Sequence, residues 1–372
     1  MTTLPESLLF PMRTVSGTDK VVDLLPECAA FGERGVLVHG RSLAASGTLD
    51  RILAAKPNGI EVDTWQHPGG EPTLAHVDAL REVLFEGNVS WVAAVGGGSV
   101  MDVAKAAAGL RDAPLPTLAY HDGEPIPPSN VTFVAAPATA GTGSEATMVS
   151  VLTNSDTGVK KSIRHPSHTA QLVILDPDLL TSCPPALVAA SGMDAFTQAV
   201  ESYLSRNATW LTDALALQAV VDINRSIEAV FSGGGDDASR EALLRGSYLA
   251  GLALSNARLG LVHGLAHPLG ARFHLPHGLV CAICLPHVLR YNRDACSEKY
   301  TQLTTCLGSD IEPRVSSLNE SMQIPNPFAG KPLPDRDAVI AETLTSGSTK
   351  ANPREVDVAA VNSILDHLFR IS

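Results

Sequence analysis

Trp91-Val92-Ala93-Ala94-Val95-Gly96-Gly97-Gly98-Ser99-Val100-Met101-Asp102-Val103-Ala104-Lys105-Ala106-Ala107-Ala108 is the stretch whose reading decides the fold. Five apolar residues with β-branched and aromatic members read as a buried strand. Three glycines stop it, and an alanine-rich run of helix formers follows. Strand, tight glycine turn and helix make the repeating unit of an α/β domain with a parallel sheet. The turn also has a chemistry. Glycines let the backbone approach an anion closely, and the helix that follows points unsatisfied N–H groups and a partial positive charge at it. This is neither the GxGxxG fingerprint nor a P-loop, since no Gly-Lys-Ser/Thr follows. The alternative is a plain strand-to-helix turn; with Ser99 present, the combination favours a phosphate site.

Outward from this turn, residues 36–39, 131–136 and 173–175 are further short apolar runs closed by Gly40, Pro137 and Asp176-Pro177, and each reads as a strand. A second polar loop, Thr139-Ala140-Gly141-Thr142-Gly143-Ser144-Glu145, follows the run at 131–136. Two such loops at the carboxyl ends of neighbouring strands mark where open α/β sheets bind ligands. After Pro184 strand signals vanish. Helical spacing runs through 186–204, 211–231, 239–257 and 259–270, with Pro184-Pro185 starting the first helix and Gly233-Gly234-Gly235 closing the second. Residues 308–336 read as an irregular excursion before a last helix at 355–370. The expectation is an α/β, Rossmann-like domain over 1–182 and an all-helical domain over 183–372, with ligands in the cleft between them.

The helical half carries a second chemistry. His263 and His267 are four apart and share a helix face, as do Asp194 and Gln198, and His277 follows in Pro276-His277-Gly278. An aspartate and two histidines from separate helices suit a divalent metal; capping and core hydrogen bonding are the alternative for such histidines. Cys281 and Cys284 have CxxC spacing, but no second pair exists and the run 279–285 is apolar, so both are assigned to core packing.

Composition excludes other classes. The 372 residues carry a formal charge of −12 with 45% hydrophobic and 18% charged residues, a globular balance unsuited to a nucleic-acid partner. No run approaches the roughly 20 apolar residues of a membrane span, and 1–11 lacks a signal-peptide pattern. Six cysteines are too few for a disulfide framework, so a cytoplasmic protein is expected.

Three segments in order resemble the iron-containing (group III) alcohol dehydrogenase family, within the dehydroquinate synthase-like superfamily. Gly96-Gly97-Gly98-Ser99-x-x-Asp102-x-x-Lys105 is similar to its GGGSxxDxxK turn. Residues 139–145 are similar to its second cofactor loop, and 259–292 to its signature region; Ala351-Asn352-Pro353-Arg354 resembles its C-terminal segment. The resemblance implies NAD(P)-dependent oxidation of an alcohol or reduction of an aldehyde, with Fe²⁺ or Zn²⁺ as Lewis acid. It places the metal on Asp194, Gln198, His263 and His277, and a proton relay on His267, with His263 the second catalytic candidate. Cofactor contacts fall on Gly97, Gly98, Ser99, Asp102, Thr139, Thr142, Thr147, Lys160 and Leu179, and on Gly40 and Arg41 after the first strand. A small-molecule substrate and a homodimer or higher homo-oligomer are also expected.

Two departures matter. The family's first metal-binding histidine falls on Gln198, whose amide oxygen is a poorer ligand than imidazole for iron or zinc. Related maleylacetate reductases work without metal, so a metal-independent reductase of an anionic keto substrate, or a catalytically impaired nucleotide-binding relative, are the alternatives. NAD-preferring relatives carry an aspartate where this chain has Gly40-Arg41. Its absence removes repulsion of a 2′-phosphate and Arg41 offers a bidentate partner, favouring NADP(H). Lys160, Lys161, Arg164, His165, His168, Arg258 and Arg272 would favour an anionic substrate if they lined the site; the expectation is that most lie on the surface.

Overall fold

The computed structural model describes residues 7–370, and the chain divides into two compact units. One comprises Leu9–Thr139 and Gly143–Cys183. The other comprises the chain from Pro184 onward together with Ala140–Thr142.

The first unit is built on a parallel sheet of six strands: β1 (Arg13–Ser16), β2 (Arg34–His39), β3 (Glu61–Gln66), β4 (Trp91–Gly96), β5 (Thr132–Pro137) and, after the antiparallel hairpin β6 (Val149–Thr153) and β7 (Lys160–Arg164), β8 (Leu172–Leu175). The spatial order is β1-β8-β5-β4-β2-β3. Strands β4 and β8 are buried throughout, as expected of inner strands covered on both faces, and so read as continuous apolar runs. Trp91 anchors the core with Leu24, Leu25, Leu37 and Ile52, its indole N–H donating to Gly32 O at 3.0 Å. The edge strands β1 and β3 carry alternating polar residues, Glu61 and Asp63 among them, which blunt an open edge and hide the strands from an apolar-run reading.

Strand order also locates a crevice. The chain passes from β2 outward to β3, then returns to the other side of β2 as β4, so its winding direction reverses between β2 and β4. Ligands of open α/β sheets bind outside the carboxyl ends of strands at such a reversal. Gly40-Arg41 follows β2, and Gly97 caps the helix that follows β4, α1 (Gly98–Leu110).

The second unit is helical: α2 (Pro185–Leu204), α3 (Trp210–Phe231), α4 (Asp237–Ala257), α5 (Leu261–Phe273) and α6 (His277–Asn292), then further helices ending with Val358–Phe369. Pro185 opens α2 in its first turn, where the missing N–H costs nothing. One expectation fails. The stretch 308–336 is not wholly irregular, because Ile311–Ser321 is a helix. Asp310 caps it, accepting from Glu312 N, and Ile311, Val315 and Leu318 bury one face at helical spacing; Pro313 in the first turn does not break it.

Candidate active site

On the helical unit, α2 presents Asp194, Gln198 and Glu201 at intervals of four and three residues, hence on one face. From α5 comes His263, and from the first two turns of α6 come His277 and Cys281. Gly278 sets how closely α6 approaches α2. A Cβ on it would lie 1.9 Å from Ala190 O and 3.1 Å from Asp194 Cβ, so only glycine lets His277 start its helix against Asp194.

The donors converge. His263 Nε2 lies 3.4 Å from Asp194 Oδ1, and His277 Nε2 lies 3.8 Å from the same oxygen. Cys281 Sγ is 3.6 Å from His277 Nε2 and 4.0 Å from His263 Nε2. Among the described residues these four are the group suited to a cation, their ligand atoms all within 4.8 Å of one another. His263 is oriented from behind: its Nδ1 lies 2.6 Å from Glu201 Oε2, while Glu201 Oε1 accepts from Val262 N at 2.6 Å. With Nδ1–H given to a carboxylate, Nε2 turns its lone pair toward Asp194, the arrangement that prepares a histidine for a metal. Buried Asn352 completes the start of α5, its Oδ1 accepting from Leu261 N and from Asn292 Nδ2.

Two buried oxygens here accept no hydrogen bond, Asp194 Oδ1 and Gln198 Oε1. Gln198 donates its amide to Thr142 O at 3.4 Å. Orphaned buried acceptors are costly, and a cation held beside Asp194 Oδ1 would satisfy that oxygen. Electrostatics agree. Burial alone would raise the Asp194 carboxyl, yet His263 and His277 outweigh it and hold it below the usual range. Burial likewise opposes charge on His263, but Cys281, Asp194 and Glu201 raise its proton affinity well above that of a free imidazole. A proton and a divalent cation compete for such a place. The residues present therefore fit a divalent metal.

His267 lies one turn along α5 from His263, exposed, with its ring stacked on His277 at 4.9 Å between centroids and 23° between planes. It is thus beside the cluster and open to water.

On the α/β unit, Gly97, Gly98 and Ser99 form the β4–α1 turn and are half-buried. A Cβ on Gly97 would meet Thr139 at 3.3 Å, so the two glycine loops abut. Asp102 points inward: it accepts from Ser144 Oγ at 2.5 Å and from Val151 N at 3.0 Å. Buried Lys105, one turn on, donates to Ser144 O, Thr147 O and Val149 O at 2.6 to 3.0 Å. Asp102 and Lys105 thereby brace the second loop, and Lys105 also holds Thr147. Lys160 pairs with Glu71 at 2.6 Å, and Leu179 is buried in the core cluster. Thr142 is exposed. Arg41 is exposed and donates to Pro68 O.

The sequence reading overlooked Glu201 and assigned Cys281 to packing. The first could have been found by continuing the Asp194–Gln198 face to i+7, and the second by noting that Cys281 lies one turn beyond His277. Cys284, fully buried, keeps its packing role. Of the residues that would have drawn an anionic substrate, Lys161 pairs with Asp122, Arg272 pairs with Glu342 through two hydrogen bonds, and His168 lies inside the core.

Residues 11–177 match the family model described as iron-containing alcohol dehydrogenase, and 188–369 match the C-terminal part of the Fe-containing alcohol dehydrogenase family. The chain is 37% identical over 323 residues to the probable alcohol dehydrogenase EutG of Escherichia coli (strain K12), covering 84% of this chain and 81% of that one. A crystal structure of 1,3-propanediol oxidoreductase superimposes with a TM-score of 0.91 at 31% identity, over 98% of this chain and 99% of the other. The sulfoacetaldehyde reductase of Bifidobacterium kashiwanohense, in complex with NAD⁺, does so with a TM-score of 0.91 at 26% identity, over 97% and 98%.

Proposed function

The chain belongs to the iron-containing alcohol dehydrogenase family and is an oxidoreductase acting on alcohols or aldehydes, and from that premise we propose how its own residues divide the work. The observation that carries the proposal is the convergence of His263 and His277 on Asp194 Oδ1, an oxygen that accepts no hydrogen bond. These residues hold the metal. When bound, it supplies a Lewis acid that polarises the oxygen of the alcohol or aldehyde.

Glu201 fixes the tautomer of His263. The turns after β2 and β4 bind the NAD(P) pyrophosphate and adenosine ribose, through Gly40, Gly97, Gly98 and Ser99, with Thr139, Thr142, Thr147, Lys160 and Leu179 as further contacts. Asp102 holds the second loop in shape through Ser144. NAD(P), when bound, would supply the hydride donor or acceptor for the substrate carbon. His267 exchanges the proton with water, since it is exposed and stacks on His277. The end of β2 carries Gly40-Arg41 in place of a carboxylate that would accept a ribose 2′-hydroxyl, and the Arg41 guanidinium could pair with a 2′-phosphate, which favours NADP(H).

We assign the enzyme to the cytoplasm, because its cysteines are all free and sparse, and expect a homo-oligomer. Among the described residues no helix is long and apolar enough to cross a membrane. The test is NADPH and NADH oxidation by the purified chain with a panel of short aldehydes, before and after chelation and re-addition of Zn²⁺ or Fe²⁺. Turnover that disappears on chelation and returns with metal is expected. Absence of turnover from the metal-loaded protein with every aldehyde overturns the reading.

A further inference from the structure

We propose that Cys281 is a metal ligand in this chain, joining Asp194, His263 and His277 in a set of one sulfur, two nitrogens and one oxygen in which Gln198 is not needed and to which the substrate oxygen would add as a further ligand. The proposal deepens the metal reading above and rests on it.

A tetrahedral ion with bonds of about 2.0–2.1 Å to nitrogen and oxygen and about 2.3 Å to sulfur sets donor–donor edges of about 3.4 Å, or about 3.6 Å where sulfur takes part. Of the six edges, two are 3.4 and 3.8 Å, from Asp194 Oδ1 to the two imidazoles, and two are 3.6 and 4.0 Å, from Cys281 Sγ to the same nitrogens. Two of these four match and two are long by about 0.4 Å, and the remaining two edges lie within 4.8 Å, so the donors would close in on a bound ion. The sulfur faces both imidazole Nε2 atoms, and its residue is fully buried, so water does not compete for it. His277 and Cys281 stand one turn apart on α6 and share a face, the usual spacing for two ligands from one helix.

The chemistry then explains Gln198. A neutral amide oxygen is a weak donor to zinc, whereas a thiolate is a strong one, so the loss of an imidazole at 198 is offset by sulfur at 281. The thiol gives up its proton to solvent on ligation, and the two anionic donors, Asp194 and Cys281, balance the charge of a divalent ion. A soft donor also tilts selection from Fe²⁺ towards Zn²⁺. The competing explanation is a thiol donating a weak hydrogen bond to His277, which involves no metal–sulfur bond.

The experiment uses the full-length protein stripped by chelation and reloaded with Co²⁺ or Zn²⁺. With one Co²⁺ per chain, a thiolate-to-cobalt charge-transfer band in the near ultraviolet is expected. X-ray absorption of the Zn²⁺ form should show one sulfur at about 2.3 Å. Cys281→Ala should abolish the band and weaken Zn²⁺ binding by at least about 100-fold, the upper end of what removing a partner one shell further out costs. The absorption measurement requires no variant, so a misfolded alanine protein would not leave the question open. Stoichiometric Co²⁺ without the band, a band retained in Cys281→Ala, or a zinc shell without sulfur overturns the proposal. The two readings separate: metal bound without sulfur, with aldehyde turnover intact, removes only the cysteine ligand. A clear sulfur signal with no turnover removes only the dehydrogenase reading.

Discussion

Glu201 Oε2 lies 2.6 Å from His263 Nδ1, and both side chains are buried. The other oxygen of the same carboxylate accepts from Val262 N, so Glu201 holds the start of α5 and the tautomer of its histidine together. Glu201→Gln separates the two roles. The amide oxygen must keep accepting from Val262 N, which leaves the NH₂ facing Nδ1. The imidazole would then carry its proton on Nε2, the atom needed for the metal. Metal affinity should fall about 10- to 100-fold while the melting temperature changes little. Titration of Zn²⁺ into the stripped variant checks this, with Glu201→Asp as a partial rescue; unchanged affinity in the glutamine variant refutes the tautomer argument.

Gly278→Ala tests the close approach of α6 to α2. The new Cβ would sit 1.9 Å from Ala190 O, an atom of helix backbone that cannot swing aside. Overpacking of this kind costs roughly 1–3 kcal/mol, sometimes more. A lower denaturant midpoint with the m-value unchanged is expected, accompanied by weaker metal binding because His277 is displaced from Asp194. A variant as stable as the parent would show that α6 is not held where the structure places it.

These two positions also show what the sequence could and could not disclose. Inner strands β2, β4, β5 and β8 were legible because burial on both faces demands an unbroken apolar run. Strands β1 and β3 were not, because a sheet edge selects for Arg13, Glu61 and Asp63 instead. The Asp194, His263 and His277 set could be read as a possible metal site from helical spacing. Glu201 and Cys281 were less legible: their helical spacing to Asp194 and His277 was there to read, but a carboxylate acting through a histidine, and a cysteine in an apolar run, show their purpose once three helices are brought together. The helix at Ile311–Ser321 was obscured by composition, its three apolar residues diluted by serine, asparagine and Pro313.

His168 predicts an acid limb to stability. It is fully buried beside Gly109, and neither ring nitrogen has a hydrogen-bond partner. Burial lowers its pKa from 6.5 to about 3, with Lys105 and His165 adding to the effect. The unfolded chain therefore binds a proton that the folded chain refuses between these values. The contribution to stability is complete above pH 6.5 and is lost as pH falls from 6.5 towards about 3. His168→Phe keeps a flat apolar ring and removes the proton site. Urea denaturation across this range should give a shallower pH dependence for the variant; parallel curves would show that His168 does not contribute to the slope.

Arg41 offers the sharpest test of cofactor choice. It opens the short helix after β2, its guanidinium donating to Pro68 O and lying over Gly69, where a Cβ would come within 3.6 Å of Cζ. Gly69 has φ of 99°, a left-handed backbone that disfavours any side chain, so the platform under Arg41 stays bare. The carbonyl of Pro68 occupies one N–H, and the remaining donors are available for a 2′-phosphate beside Gly40. A charge-assisted hydrogen bond contributes about 1.5–3 kcal/mol, and about 1.4 kcal/mol is a factor of ten in binding. Arg41→Ala should therefore raise the Kd for NADPH about tenfold or more and leave that for NADH nearly unchanged, while Gly40→Asp should reverse the preference through repulsion of the phosphate. Fluorescence titration with both cofactors decides it. Equal losses for NADPH and NADH in Arg41→Ala would place the guanidinium in the loop's own structure and refute its reading of the 2′-phosphate.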